Sequence, residues 1–166
     1  MKYEIFIEKA YEVVEQIEVF VHTNALEGAV ALDHLCFKCA SHEEFEQVRA
    51  MLEPNSLYLY ESWISSRLIA ILKLEKPIET TVGVITFIEL QDQKPAGTQK
   101  GGFAHVEAYP VGVSYKDVLE MLHAKDVTVV EDQTPHHPIH EVELSPSFVF
   151  RLEQEPVIEK IKRDEL

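Results

Sequence analysis

The chain has 166 residues, 46% of them hydrophobic, which is the size and composition of one ordinary domain and far from the polar signature of disorder. Its formal net charge of −14, from 29 acidic residues against 15 Lys and Arg, excludes nucleic acid and anionic membrane surfaces as partners, because such affinity comes from basic side chains neutralising phosphates. No apolar run reaches the ~20 residues needed to span a bilayer, and MKYEIFIEK lacks the basic-then-apolar pattern of a secretory signal, so the expected compartment is the cytoplasm.

Residues 3–26 carry Phe6, Ala10, Val13, Ile17 and Val21 at helical spacing among Glu4, Glu8, Glu12, Glu15 and Glu18, which predicts a long amphipathic helix. Residues 32–39 alternate as a strand. Ser41 with Glu44 then reads as a capping box before a helix bearing Phe45, Val48, Met51 and Leu52, and Pro54 follows its end. Residues 57–63, 67–75 and 82–90 read as strands, rich in β-branched and aliphatic residues, and 91–102 as a loop. The order then restarts. Residues 103–109 form a strand, Ser114 with Asp117 caps a helix carrying Val118, Leu119, Met121 and Leu122, and strands follow near 127–131, 139–144 and 147–153. Pro156 opens a short charged tail with helical character.

The chain therefore reads as a helix followed by β-α-β-β-β twice, an internal duplication in order of elements more than in letters. The boundaries expected are a helical extension at 1–30, a first module at 31–92, a second at 101–156 and a tail at 157–166, all within one domain. Each module opens on a strand with a histidine, Asp33-His34-Leu35 and then Ala104-His105-Val106. Each closes on a strand with a glutamate, Glu89 in TFIELQ and Glu153 in VFRLEQ.

Strand parity sorts the chemistry. His34, Cys36 and Lys38 share one face of the first strand. His105, Glu107 and Tyr109 share one face of the fifth, and Arg151 and Glu153 one face of the last. The opposite faces are apolar and suit the helices. A polar face on all three strands is explained either by an antiparallel sheet wet on one side or by a site. The paired histidines and paired carboxylates favour a site for one divalent metal ion, an N/O donor set that admits Zn, Ni, Fe, Mn or Co alike.

LDHLCFKC, RLIAILKLEKPIETTVGVITFIEL, GFAHVEAYPV and VFRLEQEPVIEKI, with the leading helix, resemble the YecM family of the vicinal-oxygen-chelate (glyoxalase-like) superfamily. The resemblance implies an α+β fold in which two βαβββ modules form a curled mixed sheet around a metal cup. It implies metal ligands at His34, Glu89, His105 and Glu153, the last at a place where relatives are expected to carry His. It also implies an uncharacterised metal-dependent isomerase, lyase or oxygenase acting on a small molecule with vicinal oxygens; the alternative is a non-catalytic protein that binds or sequesters such a molecule. The candidate bases are Glu89 and Glu107, Glu107 being equally readable as a solvated strand carboxylate. The candidate substrate-binding residues are Lys38, Arg67, Tyr109 and Arg151. The expected assembly is a monomer or homodimer.

Several features carry a blander reading. Cys36 and Cys39 form a C-x-x-C, but positions three apart on a strand face opposite ways, which argues against zinc or redox chemistry there. Glu75 rivals Glu89 but sits one strand too early. His136, His137 and His140 look like a metal cluster, yet the flanking prolines suggest a hairpin loop, with His140 the member nearest to a site. The terminal Arg163-Asp164-Glu165-Leu166 resembles an ER-retrieval tail, which is read as an accident of a charged end.

Overall fold

The computed structural model describes residues 1–134 and 137–163. His136 and the last three residues of the retrieval-like tail lie outside the described residues.

The N-terminal stripe builds α1 (Tyr3–Thr23), with Phe6, Ala10 and Ile17 fully buried. Val14 and Phe20 join them, while Val13 is only half-buried. The interior face drifts across neighbouring positions because a turn takes 3.6 residues. The rest runs β1 (Val30–Lys38), α2 (His42–Leu52), β2 (Ser56–Ile64), β3 (Arg67–Thr80), β4 (Gly83–Gln91), β5 (Gly102–Pro110), α3 (Tyr115–Ala124), β6 (Val130–Gln133), β7 (Pro138–Ser145), β8 (Phe148–Leu152) and α4 (Val157–Lys162). The predicted element order is present, with β6 starting at Val130 rather than near residue 127. Ser41 caps α2 by accepting the Glu44 N–H at 3.0 Å, but the Glu44 carboxylate takes the Ala40 N–H, so this box is not reciprocal. The Ser114–Asp117 box on α3 is complete.

All eight strands form one sheet in the order β2-β3-β4-β1-β5-β8-β7-β6. β1 lies parallel to β4 and β5 parallel to β8, and the two βαβββ runs meet at the antiparallel β1–β5 pair. Leu35 opposite Val106 marks an approximate twofold, flanked evenly by His34 opposite Glu107 and Cys36 opposite His105.

The expected curling of this sheet into a metal cup is not observed. The sheet is neither closed nor strongly curled, and it ends in two edges, β2 and β6. Closure requires the edge strands to meet and pair. Here β6 has four residues, all exposed, and its sheet neighbour is β7, while that of β2 is β3. A site on this sheet must therefore be covered by other elements.

Helices α1, α2 and α3 cover one face. Phe6, Ile17, Phe45, Leu52, Val118 and Leu122 pack there with Leu35, Phe37, Leu72, Ile88, Val106 and Phe150. On the other face Ile69, Ile71 and Phe87 pack with Val157 and Ile161 of α4. The charged tail thus becomes a small cover over the polar face.

The β2–β3 hairpin turns on Ser65 and Ser66, both at positive φ (51° and 63°), between the paired Ile64 and Arg67. A two-residue turn of this hand favours Asn-Gly, because side chains beyond Gly are strained at positive φ. Ser66→Gly is expected to stabilise the protein by about 1 kcal/mol, read as a rise in the urea midpoint at unchanged m-value. An unchanged or lower midpoint would contradict the turn assignment.

Candidate metal centre

The site grows from the middle of the α4 side of the sheet. Neighbouring residues in a regular strand point to opposite faces, but the β1–β5 pairing skips Asp33: Leu32 stands opposite Ala108 and His34 opposite Glu107. The same pairing skips Ala104, with Cys36 opposite His105 and Phe37 opposite Phe103. Each run therefore has a bulge immediately ahead of its histidine, and a bulge re-aims the local side chains. In the first run the bulged residue is an aspartate. Its Oδ2 lies 2.8 Å from His34 Nδ1 and also accepts the Val157 N–H of α4 at 3.0 Å. In the second run the bulged residue is alanine, so His105 lacks that carboxylate.

The Asp33 contact makes Nδ1 the protonated nitrogen of a neutral His34 and leaves the lone pair on Nε2. Nε2 is buried and has no hydrogen-bond partner among the described residues. It lies 3.6 Å from Glu107 Oε2 and 3.7 Å from Glu89 Oε2. The His34 and His105 rings are 5.9 Å apart, centroid to centroid. Two sets of donor atoms each lie within 4.8 Å of one another: those of His34, His105 and Glu107, and those of Cys36, Glu89 and His105. These clusters could coordinate a divalent ion. The donor chemistry fits, because imidazole nitrogen and carboxylate oxygen both offer lone pairs to such ions, and the partnerless Nε2 is the buried atom that an ion would satisfy.

Cations border the cluster. Lys160 of α4 places Nζ 3.2 Å from Glu107 and 3.0 Å from Glu153. His137 Nε2 lies 2.6 Å from Glu153 Oε2. Arg151 is held from behind by Glu141, whose Oε1 is 2.8 Å from Nε and 2.7 Å from Nη2, and its Nη1 reaches to 3.4 Å from His105 Nε2. Gln91 donates its side-chain amide to Glu89.

The two histidines are driven apart electrostatically. Burial would depress His34, but the carboxylates of Glu107, Asp33 and Glu89 outweigh it and raise its pKa to about 9. His105 goes the other way: burial, then the charges of Arg151 and His34, hold it well below the ordinary imidazole value, so it is neutral. Burial pushes Glu107 up against the opposing charges of His34 and Lys160. Glu89 ends low, because His34, Gln91 and Arg151 overcome its burial. Burial and the Glu89 charge raise the Cys36 thiol well above its usual range.

The structure brings His34, Glu89, His105, Glu107 and Arg151 together. Glu153 follows β8, next to the cluster, but it is engaged by Lys160 and His137, and Arg151 is the residue opposite Glu107 as Glu89 is opposite Cys36. Lys38 ends β1, and its charge is felt at both His105 and Cys36. Tyr109 is half-buried, and the Asp33 charge helps burial to raise its pKa. Arg67 lies elsewhere: it binds Gln99 and the Asp92 carbonyl, pinning the 92–101 loop. Glu75 is exposed and is felt at Tyr3 of α1. His140 contacts the Tyr115 hydroxyl at 2.8 Å, on the helix-covered side. Cys39 lies in the apolar core and Cys36 in the site, both as free thiols, as alternation requires. Sequence reasoning missed two participants. Asp33 is invisible to strand parity because a bulge overrides it, and Lys160 stood in a tail with no predicted partner.

A family model described as "YecM protein" matches residues 1–147. No curated protein matches the chain. Among solved structures, one titled "Structural Genomics, Protein EC4020" aligns over 95% of this chain and 91% of its own, with TM-score 0.70 and 18% identity, which shows a shared fold. Methylmalonyl-CoA epimerase in complex with methylmalonyl-CoA and NH4+ aligns over 75% of this chain and 93% of its own, with TM-score 0.47 and 14% identity. A 4-hydroxymandelate synthase mutant from Streptomyces coelicolor aligns over 75% of this chain and 47% of its own, with TM-score 0.35 and 9% identity. No described helix is long and apolar enough to cross a membrane.

Proposed function

The chain belongs to the YecM family, and from that premise we propose that it is a vicinal-oxygen-chelate protein, a divalent-metal-dependent enzyme acting on a small molecule with vicinal oxygens. The observation that carries this reading is the buried Nε2 of His34, which has no hydrogen bond among the described residues and faces Glu107 and Glu89 with His105 alongside. His34, His105 and Glu107 would hold the ion, which when bound would supply Lewis acidity. Asp33 orients His34 from behind, which strengthens its lone pair as a donor. Glu89, within 3.7 Å of the same Nε2 and kept ionised by its neighbours, would take the proton from a substrate C–H and return it to the same or the adjacent carbon, or to a departing group. This is isomerase or lyase chemistry. Helix α4 covers the site and keeps bulk water from competing for the proton.

A second reading rests on the composition of the set itself. Two histidines and one carboxylate are also the donor set of non-haem Fe(II) oxygenases. One series separates the readings. Untagged protein at pH 8 is loaded in turn with Mn, Fe(II), Co, Ni and Zn and its metal content measured. It is then assayed anaerobically for deuterium exchange at the carbon next to the carbonyl of hydroxy-keto acids, and aerobically for oxygen uptake with catechols. One ion per chain with exchange is the expected result. Oxygen uptake with Fe(II) alone selects the oxygenase. Tight ligand binding without either activity would make the protein a binder, and no stoichiometric metal under any loading would remove the proposal.

A further inference from the structure

We propose that Arg151 is the recognition residue for a carboxylate on the molecule that enters this site, so that the substrate class is a small carboxylic acid whose vicinal oxygens lie next to its charged group. This inference rests on the metal-centre reading above.

The approximate twofold carries the first part of the argument. It exchanges His34 with His105 and Cys36 with Glu107. Glu89 stands opposite Cys36 on the neighbouring parallel strand, and Arg151 stands opposite Glu107 in the same way. The position that holds a carboxylate in the first run thus holds a guanidinium in the second. The centre is lopsided as a result, with the ion-binding groups gathered toward His34 and a fixed positive charge on the far side of His105.

The second part is the way Arg151 is held. A guanidinium has five N–H groups in a rigid plane. Glu141 takes Nε and Nη2 from behind, and Nη1 lies at the long distance of 3.4 Å from His105 Nε2; once the His105 lone pair goes to the ion, both N–H groups of Nη1 and one of Nη2 are left over. A carboxylate behind and a weak contact in front aim the fork into the site. Arg cannot lose its proton, so its charge stays beside His105 at every working pH. A metal ion taken up by the adjacent donors would add a second positive centre, so an anion between them would meet a cation on each side, although Glu141, Glu107 and Glu89 offset part of the Arg151 charge. Lys160, the other cation beside the site and likewise half-buried, has its ammonium between Glu107 and Glu153. One N–H left on Nη1 and one on Nη2 then form a planar fork that matches the two oxygens of a carboxylate.

The test uses the full-length chain loaded with manganese, and calorimetry rather than turnover. The probes are oxalate, which offers vicinal oxygens and a carboxylate, and acetohydroxamate, which offers vicinal oxygens without one. Manganese binding to the parent protein is measured first; its absence would overturn the metal reading and this inference with it. With metal bound, Arg151→Met is expected to weaken oxalate roughly 10- to 100-fold, the effect of losing a charge-assisted pair. Acetohydroxamate should change by less than about twofold, since it lacks the group that the fork recognises. Arg151→Lys keeps the charge without the fork and should recover only part of the oxalate affinity, which separates recognition from general charge. Melting curves of both variants establish folding; if Arg151→Met does not fold, Glu141→Gln, which leaves the guanidinium in place but loosens it, takes its place and should weaken oxalate relative to the parent with acetohydroxamate unchanged, and parent-like oxalate affinity would overturn the inference. Unchanged oxalate affinity in folded, manganese-loaded Arg151→Met would overturn the inference and leave the metal reading standing. Inorganic phosphate displacing oxalate at lower concentration than acetate does would overturn the assignment to a carboxylate.

Discussion

His34→Ala is expected to lose more than about 100-fold in divalent-metal affinity, because substitution of groups that merely orient a ligand already costs about 10- to 100-fold. The expectation follows from Nε2, the buried donor without a partner among the described residues. Asp33→Asn belongs to the orienting class. It keeps the volume but removes the charge that holds Nδ1 at 2.8 Å, so a loss of about 10- to 100-fold is expected. His140→Ala, on the opposite side of the sheet beside Tyr115, is the control and should bind as the parent does. Titration of untagged protein with manganese and nickel, followed by elemental analysis, reads all three. Parent-like metal content in His34→Ala would remove this centre. A loss confined to variants of His137 or His140 would move metal binding to the β6–β7 hairpin.

Metal affinity is expected to keep rising with pH until about 9, well past the ordinary imidazole range. The cause is the proton on His34. Burial opposes that proton, but Glu107, Asp33 and Glu89 retain it and raise the folded-state pKa to about 9. A metal ion needs the neutral ring, so below pH 9 each binding event expels a proton, and affinity climbs about tenfold per pH unit. From residue types alone the fall would be placed near ~6.5, the value of a free imidazole. The metal-free protein responds in the opposite sense. A pKa raised above its unfolded value contributes stability in full below about 6.5 and loses it as pH rises through about 9. Melting curves at pH 5.5, 7.5 and 9 with and without manganese should therefore diverge, the metal-free midpoint falling while the metal-induced increment grows. Asp33→Asn lowers the His34 pKa and should bring the plateau to lower pH. An increment already constant between pH 7.5 and 9 in the parent would show that His34 does not carry the competing proton.

The metal-free site is not a ring of uncompensated carboxylates. Arg151 and Lys160 face the cluster, and His34 adds its proton, so the carboxylates of Glu89, Glu107 and Glu153 have cations within reach. Lys160 reaches Glu107 and Glu153 from α4, a segment that local patterning marked as a charged tail of helical character.

Periodicity in the chain was enough to order the elements and to separate the two faces of β1 and β5, since burying an apolar stripe is a local demand of composition and spacing. His34 could be placed on the polar face of its strand and His105 with Glu107 on that of theirs for that reason, and the repeat of βαβββ, which singled out Glu89 as the glutamate closing the first module, could be read from the order of elements. Parity could not reveal the bulges at Asp33 and Ala104, because each is defined by pairing between strands about seventy residues apart. Nor could it say that Arg151, not Glu153, stands opposite Glu107, since a register slip moves a whole strand without altering its own pattern. The open sheet and the docking of α4 over the site are likewise long-range outcomes. Edge pairing fails where β6 is short and exposed, and the apolar side of α4 finds Ile69, Ile71 and Phe87 across the fold. Side-chain direction along a strand is local physics, whereas register, bulges and cover depend on which distant surfaces bury one another.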